Sequence, residues 1–121
     1  MDKIAEISLL YDFYGQLLTE KQRQVMALYH EENLSLSEIA GEFGISRQAV
    51  HDTLKKAEQL LSEYEKKLGL VDKFVRSSQA LKEIENEIGE ITAAVAETSG
   101  DRILLGKLQR VKAIIEGLEE E

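Results

Sequence analysis

The run "SRQAVHDTLKK", residues 46–56, gathers Arg47, Gln48, His51, Lys55 and Lys56, a set suited to nucleic-acid recognition rather than to catalysis. Arginine donates two parallel hydrogen bonds to O6 and N7 of guanine, and glutamine pairs in the same two-point way with adenine. Lysine meets phosphate as a point charge. With Val50 and Leu54 turned inward on a helix, Arg47, Gln48, His51, Asp52 and Lys55 share the outward face. Arg47 and Gln48 then stand at the N-terminal end, from which a recognition helix reaches base edges. Lys55 and Lys56 suit the phosphate backbone, as do Lys21 and Arg23 farther upstream. Catalytic chemistry has no comparable set. The two histidines, His30 and His51, miss the H-x-x-x-H spacing of a metal site, and there is no cysteine. No glycine-rich phosphate loop, Gly-Lys-Ser/Thr triplet or serine–histidine–acid signature occurs. The expectation is a non-enzymatic protein with no cofactor, no metal and no small-molecule substrate.

A recognition helix needs a partner helix at a fixed angle, and the preceding residues supply one. Ser35 followed by Glu38 has the form of a capping box opening a short helix, whose inward side is Leu36, Ile39, Ala40 and Phe43. Gly44 ends it, and Ser46 caps the next, whose inner face of Val50, Leu54, Ala57 and Leu61 runs on to about Lys67. Two helices joined by Gly44-Ile45-Ser46 have the form of a helix-turn-helix, with Ile45 filling the angle and Ala40 small enough for close approach. Upstream, Thr19 and Gln22 form a second capping box for a helix over about 20–31, with Val25, Leu28 and Tyr29 inward. Ile4, Ile7, Leu10, Tyr11, Tyr14 and Leu17 or Leu18 mark the face of a first helix ending near Gly15. "YDFY", residues 11–14, reads as the aromatic staple of a small core, and His30 as a cation complementing a helix C-terminus.

Beyond Gly69 the chain changes character. Phe74, Leu81, Ile88 and Val95 form one seam of a heptad and Ile84 and Ile91 the other, with Ser77 the polar exception. "TSGD", residues 98–101, breaks the pattern, and Leu104, Leu108, Val111, Ile115 and Leu118 resume it. A helix of about 27 residues reaches roughly 40 Å, beyond what the N-terminal bundle can cover. The two segments can fold back as a hairpin, zip against another chain, or both, and a hairpin that promotes self-association is favoured over one that folds on residues 2–70 as a monomer. Domains are expected at 1–69, the helix-turn-helix, and 70–121, the hairpin. With no proline anywhere, the fold class is all-α.

The stretch "LLTEKQRQVMALYHEENLSLSEIAGEFGISRQAVHDTLKKAEQLL" is similar to the fourth region of bacterial sigma factors. The wider run from "YDFYGQLLTEKQRQV" through "SRQAVHDTLKKAEQLLSEYEKKLGL" resembles the YlxM family. The resemblance implies a sigma-like helix-turn-helix protein. It also implies a role in the signal recognition particle pathway, through that particle's GTPase or its RNA. In the sigma pattern the positions matching Arg47, Gln48 and His51 face the promoter element. The recognition helix here departs from that pattern, being poorer in arginine and carrying Ala49 and Asp52 on or near its exposed side.

Charge limits the partners. The chain carries a formal −8, and from Thr19 to Lys67 seven Lys and Arg face nine Asp and Glu. Indiscriminate nucleic-acid coating is excluded, because that binding scales with the number of phosphates neutralised. Few contacts made twice, by a homodimer with heads about 34 Å apart on a palindromic DNA site, is the arrangement such a surface favours. The N-terminus lacks a basic segment followed by an apolar one, no run approaches the roughly 20 apolar residues of a membrane span, and the expected location is cytoplasmic.

Overall fold

A computed structural model describes residues 2–120, and its regular structure is helical throughout. Six α-helices run in order: α1 (Lys3–Tyr14), α2 (Glu20–Met26), α3 (Leu36–Phe43), α4 (Arg47–Leu68), α5 (Leu70–Thr98) and α6 (Arg102–Glu119). A 3-10 turn over Gly15–Leu17 follows α1, and a π-turn over Ala27–Glu31 extends α2. The all-α expectation holds.

The helix starts are set by side chains satisfying orphan backbone amides. Thr19 Oγ1 accepts from the Gln22 amide at 3.2 Å while Gln22 Oε1 accepts from the Thr19 amide at 3.0 Å. Ser35 and Glu38 form the same reciprocal pair at 3.1 and 2.9 Å. These bonds to Ser35 hold the Glu38 carboxyl below its ordinary pKa. Ser46 Oγ accepts from the Ala49 amide at 3.1 Å, and Asp101 caps α6 through the amides of Ile103 and Leu104.

The chain divides into two compact units, Met1–Val71 and Asp72–Glu121. In the first, α1, α2 and α3 pack on α4 around Leu10, Tyr14, Leu18, Val25, Met26, Ile39, Val50, Leu54, Ala57 and Leu61. Tyr14 anchors this core. Its hydroxyl donates to Glu65 Oε1 at 2.6 Å and accepts from the Leu70 amide at 3.1 Å, and the same carboxylate oxygen accepts from the Val71 amide at 3.0 Å. Burial, and then the bond to Glu65, push the Tyr14 phenol above its ordinary pKa. Gly69, at φ 64°, turns the chain from α4 into α5, and the Tyr14–Glu65 pair holds the two amides that follow.

Some expected core positions lie elsewhere. Ile4 is 77% exposed, since α1 meets α4 through Ile7 and Leu10. The 3-10 turn buries Leu18 and leaves Leu17 outside. Leu36 and Phe43 are half-buried flanks of Ile39 and Ala40.

In the second unit α5 and α6 run antiparallel, with Lys82 Nζ 3.8 Å from Glu119 Oε2. At the connection, the Ser99 and Gly100 amides donate to the Val95 carbonyl, with Gly100 at φ 61°. The packed line is not the full heptad read from the sequence. Leu81, Ile88 and Val95 are half-buried together with Ser78, Glu85 and Thr92, while Ile84 and Ile91 remain 46% exposed. A two-helix hairpin covers one line of each helix, so the second apolar seam stays uncovered within the unit.

Candidate nucleic-acid interface

The angle of the helix-turn-helix rests on three residues. Gly44 takes φ 65°, its amide and that of Ile45 both donate to the Ala40 carbonyl, and α4 begins at Arg47. Such a paired closure needs a left-handed residue at the turn, which glycine adopts without Cβ strain. Ala40, 8% exposed, lies against α4 through α3, and Ile45 is half-buried in the angle. Val50 and Leu54 point into the core, which fixes the rotation of α4.

That rotation leaves Arg47, Gln48, His51, Lys55 and Lys56 on the exposed side of α4. Asp52 organises part of this face. Gln48 Nε2 donates to Asp52 Oδ1 at 2.9 Å, and His51 Nδ1 lies 3.7 Å from the same oxygen. Asp52 thus holds the Gln48 amide along the helix and sets a negative charge between two of the candidate base-reading side chains. To pair with adenine, Gln48 exchanges this exposed bond for the base edge.

His51 and Lys55 also share a shallow notch with Tyr29, Leu36, Leu54 and Glu58. Tyr29 was expected inside. The helix carrying it widens into a π-turn, in which the Glu32 amide donates to the Ala27 carbonyl, and Tyr29 is left 38% exposed with its ring edge-on to His30. Its place beside the recognition helix was not legible from spacing, because a regular helix puts it in line with Val25. His30 itself lies with Nε2 3.7 Å from Glu58 Oε2, tying the end of this helix to α4.

Lys21 and Arg23 are exposed on α2. Arg23 lines a separate cleft with Tyr11, Glu20, Gln24 and Ala27, and its carbonyl accepts from the Tyr11 hydroxyl at 3.4 Å. Burial, and then Glu31, raise the Tyr11 pKa. The cationic positions therefore form two groups, one on α4 and one on α2. Among the described residues no cluster of three or more His, Cys, Asp or Glu has the arrangement of a metal site, and no helix is long and apolar enough to cross a membrane.

Comparison with known proteins matches residues 1–99 to the family described as "Putative helix-turn-helix protein, YlxM / p13 like". A UPF0122 protein of Desulforamulus reducens is 49% identical over 105 residues, covering 83% of this chain and 90% of that protein. One from Halalkalibacterium halodurans is 48% identical over 88 residues, covering 73% and 81%. One from Acetivibrio thermocellus is 40% identical over 116 residues, covering 96% of this chain and 99% of its own length, so the similarity there extends through the hairpin.

Proposed function

The chain belongs to the YlxM/p13-like helix-turn-helix family, and from that premise we propose that it is a cytoplasmic, non-enzymatic regulator that binds DNA as a dimer. The observation that carries this reading is the outward row of Arg47, Gln48, His51 and Lys55 on the N-terminal half of α4, behind a three-residue turn. In it Arg47 reads guanine, Gln48 adenine and His51 an adjoining edge, while Lys55, Lys56, Lys21 and Arg23 hold phosphates. With so few cations per chain and a formal −8 overall, affinity depends on two heads engaging together. The test is titration of fluorescent duplex DNA with the protein and with Arg47→Ala. At a specific site the substitution is expected to cost about 1 to 3 kcal/mol, and unchanged affinity would overturn the assignment of Arg47.

A second reading is favoured by Asp52, whose carboxylate occupies Gln48 on the same face. In it the exposed helix meets the GTPase or the RNA of the signal recognition particle, and the protein acts as an adaptor in that pathway. An Arg47→Ala protein that still binds the particle while losing DNA would favour the adaptor. Parallel loss of both would mean a shared nucleic-acid surface.

A further inference from the structure

The second unit leaves one apolar seam uncovered, and its geometry points to a specific occupant. Each helix of the hairpin has a packed line, Leu81, Ile88 and Val95 on α5 and Leu108 and Ile115 on α6. Ile84 and Ile91 lie three residues after, or four before, members of the α5 line, and Leu104, Val111 and Leu118 stand in the same relation to the α6 line. That offset is about 50° of rotation in the same sense on both helices. In an antiparallel pair, equal offsets fall on the same side of the pair. The opposite offset agrees with this within the molecule: Glu85 and Lys112, four residues after Leu81 and Leu108, line one and the same groove. One side of the hairpin is thus a polar groove with Glu85, Asn86, Glu90 and Lys112, and the other is an apolar stripe. Ile84, Ile91, Leu104, Val111 and Leu118 on that stripe are 46, 46, 41, 37 and 50% exposed.

We propose that this stripe is the dimer interface, covered by the same stripe of a second copy in a four-helix bundle. The inference rests on the dimer reading above and adds the surface and its arrangement. Five half-exposed aliphatic side chains offer roughly 400 Å² per copy, the size at which an apolar patch marks an interaction site. Two copies bury roughly 800 Å² of apolar area, enough for the core of a standard interface of about 1,600 Å². Covering two heptad-spaced helices requires two more, and a second hairpin supplies both with matching spacing. Charge selects the orientation. Glu87 on α5 and Lys107 on α6, each one residue before a packed position (Ile88 and Leu108), are the charges that flank the stripe, whereas Glu85 and Lys112 lie on the polar side. A two-fold axis parallel to the helices sets α5 of one copy beside α6 of the other, acid against base. An axis across the helices sets α5 on α5 and repels.

The experiment is sedimentation equilibrium of the full chain, of Ile91→Glu/Val111→Glu on the stripe and of Asn86→Glu/Ala93→Glu on the polar side, with helicity followed by circular dichroism. The expected result is a dimer for the parent and the polar-side variant and a folded monomer for the stripe variant. The milder Leu118→Gln, with a dimer dissociation constant at least tenfold higher than the parent's, serves if the double variant unfolds. A dimeric parent whose folded stripe variants dimerise unchanged overturns the stripe and leaves dimeric binding standing. A parent that is monomeric at tens of micromolar overturns both. Nucleic-acid binding by a monomeric parent would still be read separately, through Arg47.

Discussion

At the residue scale, the exposed face of α4 sets its cations beside a carboxylate. Arg47 and Lys55 offer charge, but Asp52 sits between Gln48 and His51 and accepts the Gln48 amide at 2.9 Å. An exposed carboxylate within reach of a phosphate-bearing ligand opposes binding by Coulomb repulsion and is screened by salt. Asp52→Asn keeps an acceptor for Gln48 and removes only the charge. It should tighten nucleic-acid binding about 2- to 5-fold at low salt, with the gain shrinking as salt rises. Unchanged or weaker binding by anisotropy would mean that Asp52 faces away from the ligand or accepts from it. The five candidate positions on α4 were legible in the sequence as exposed polar residues, because Val50 and Leu54 fix the phase of that helix. Tyr29 was not, since a π-turn depends on packing that no periodicity encodes.

At the element scale, the caps and the turn were written most clearly. Thr19–Gln22 and Ser35–Glu38 are local pairs whose partners lie three residues apart, so a sequence reading finds them without tertiary information. Gly44 follows the same logic. Nothing lies within 4 Å of where its Cβ would stand, so Gly44→Ala tests backbone conformation alone. The expected loss is about 1 kcal/mol, read as a fall of roughly 4–8 °C in Tm, with Gly44→Asn losing less. The hairpin was less legible, because heptad spacing does not say which seam pairs in cis. Its polar side carries a pH signature. The neighbouring Glu85 carboxyl, and then burial, raise the Glu119 carboxyl above its ordinary pKa, with Lys82 opposing. A raised folded-state pKa contributes stability that is complete below the unfolded value and is lost as pH rises through the folded one. Thermal melts should therefore show the hairpin contribution weakening as pH rises through the carboxylate range. Glu85→Gln should flatten that dependence and raise Tm at neutral pH; an unchanged profile would mean the two carboxyls do not share a proton.

At the scale of the whole molecule, an acidic chain that binds a polyanion has to concentrate its few cations, and under the dimer proposal it uses them twice. Each head offers Arg47, Lys55, Lys56, Lys21 and Arg23. With the four assigned to phosphate, Lys55, Lys56, Lys21 and Arg23, the slope of log affinity against log salt approaches about −3.6 for one head and about −7.2 for two. A stripe variant that is monomeric should show about half the slope of the parent, and equal slopes would mean that only one head engages. The fold class and the helix-turn-helix followed from local patterns, whereas which seam of the heptad is covered within the hairpin depends on long-range packing. The most direct test of the central claim is fluorescence anisotropy with random duplex DNA and signal recognition particle RNA, at low and physiological salt, beside Arg47→Ala/Lys55→Ala. Binding that weakens both with salt and with the double substitution is the predicted result. No binding to either nucleic acid at low salt, or binding that ignores the substitutions, would contradict it and assign the exposed face of α4 to a protein partner.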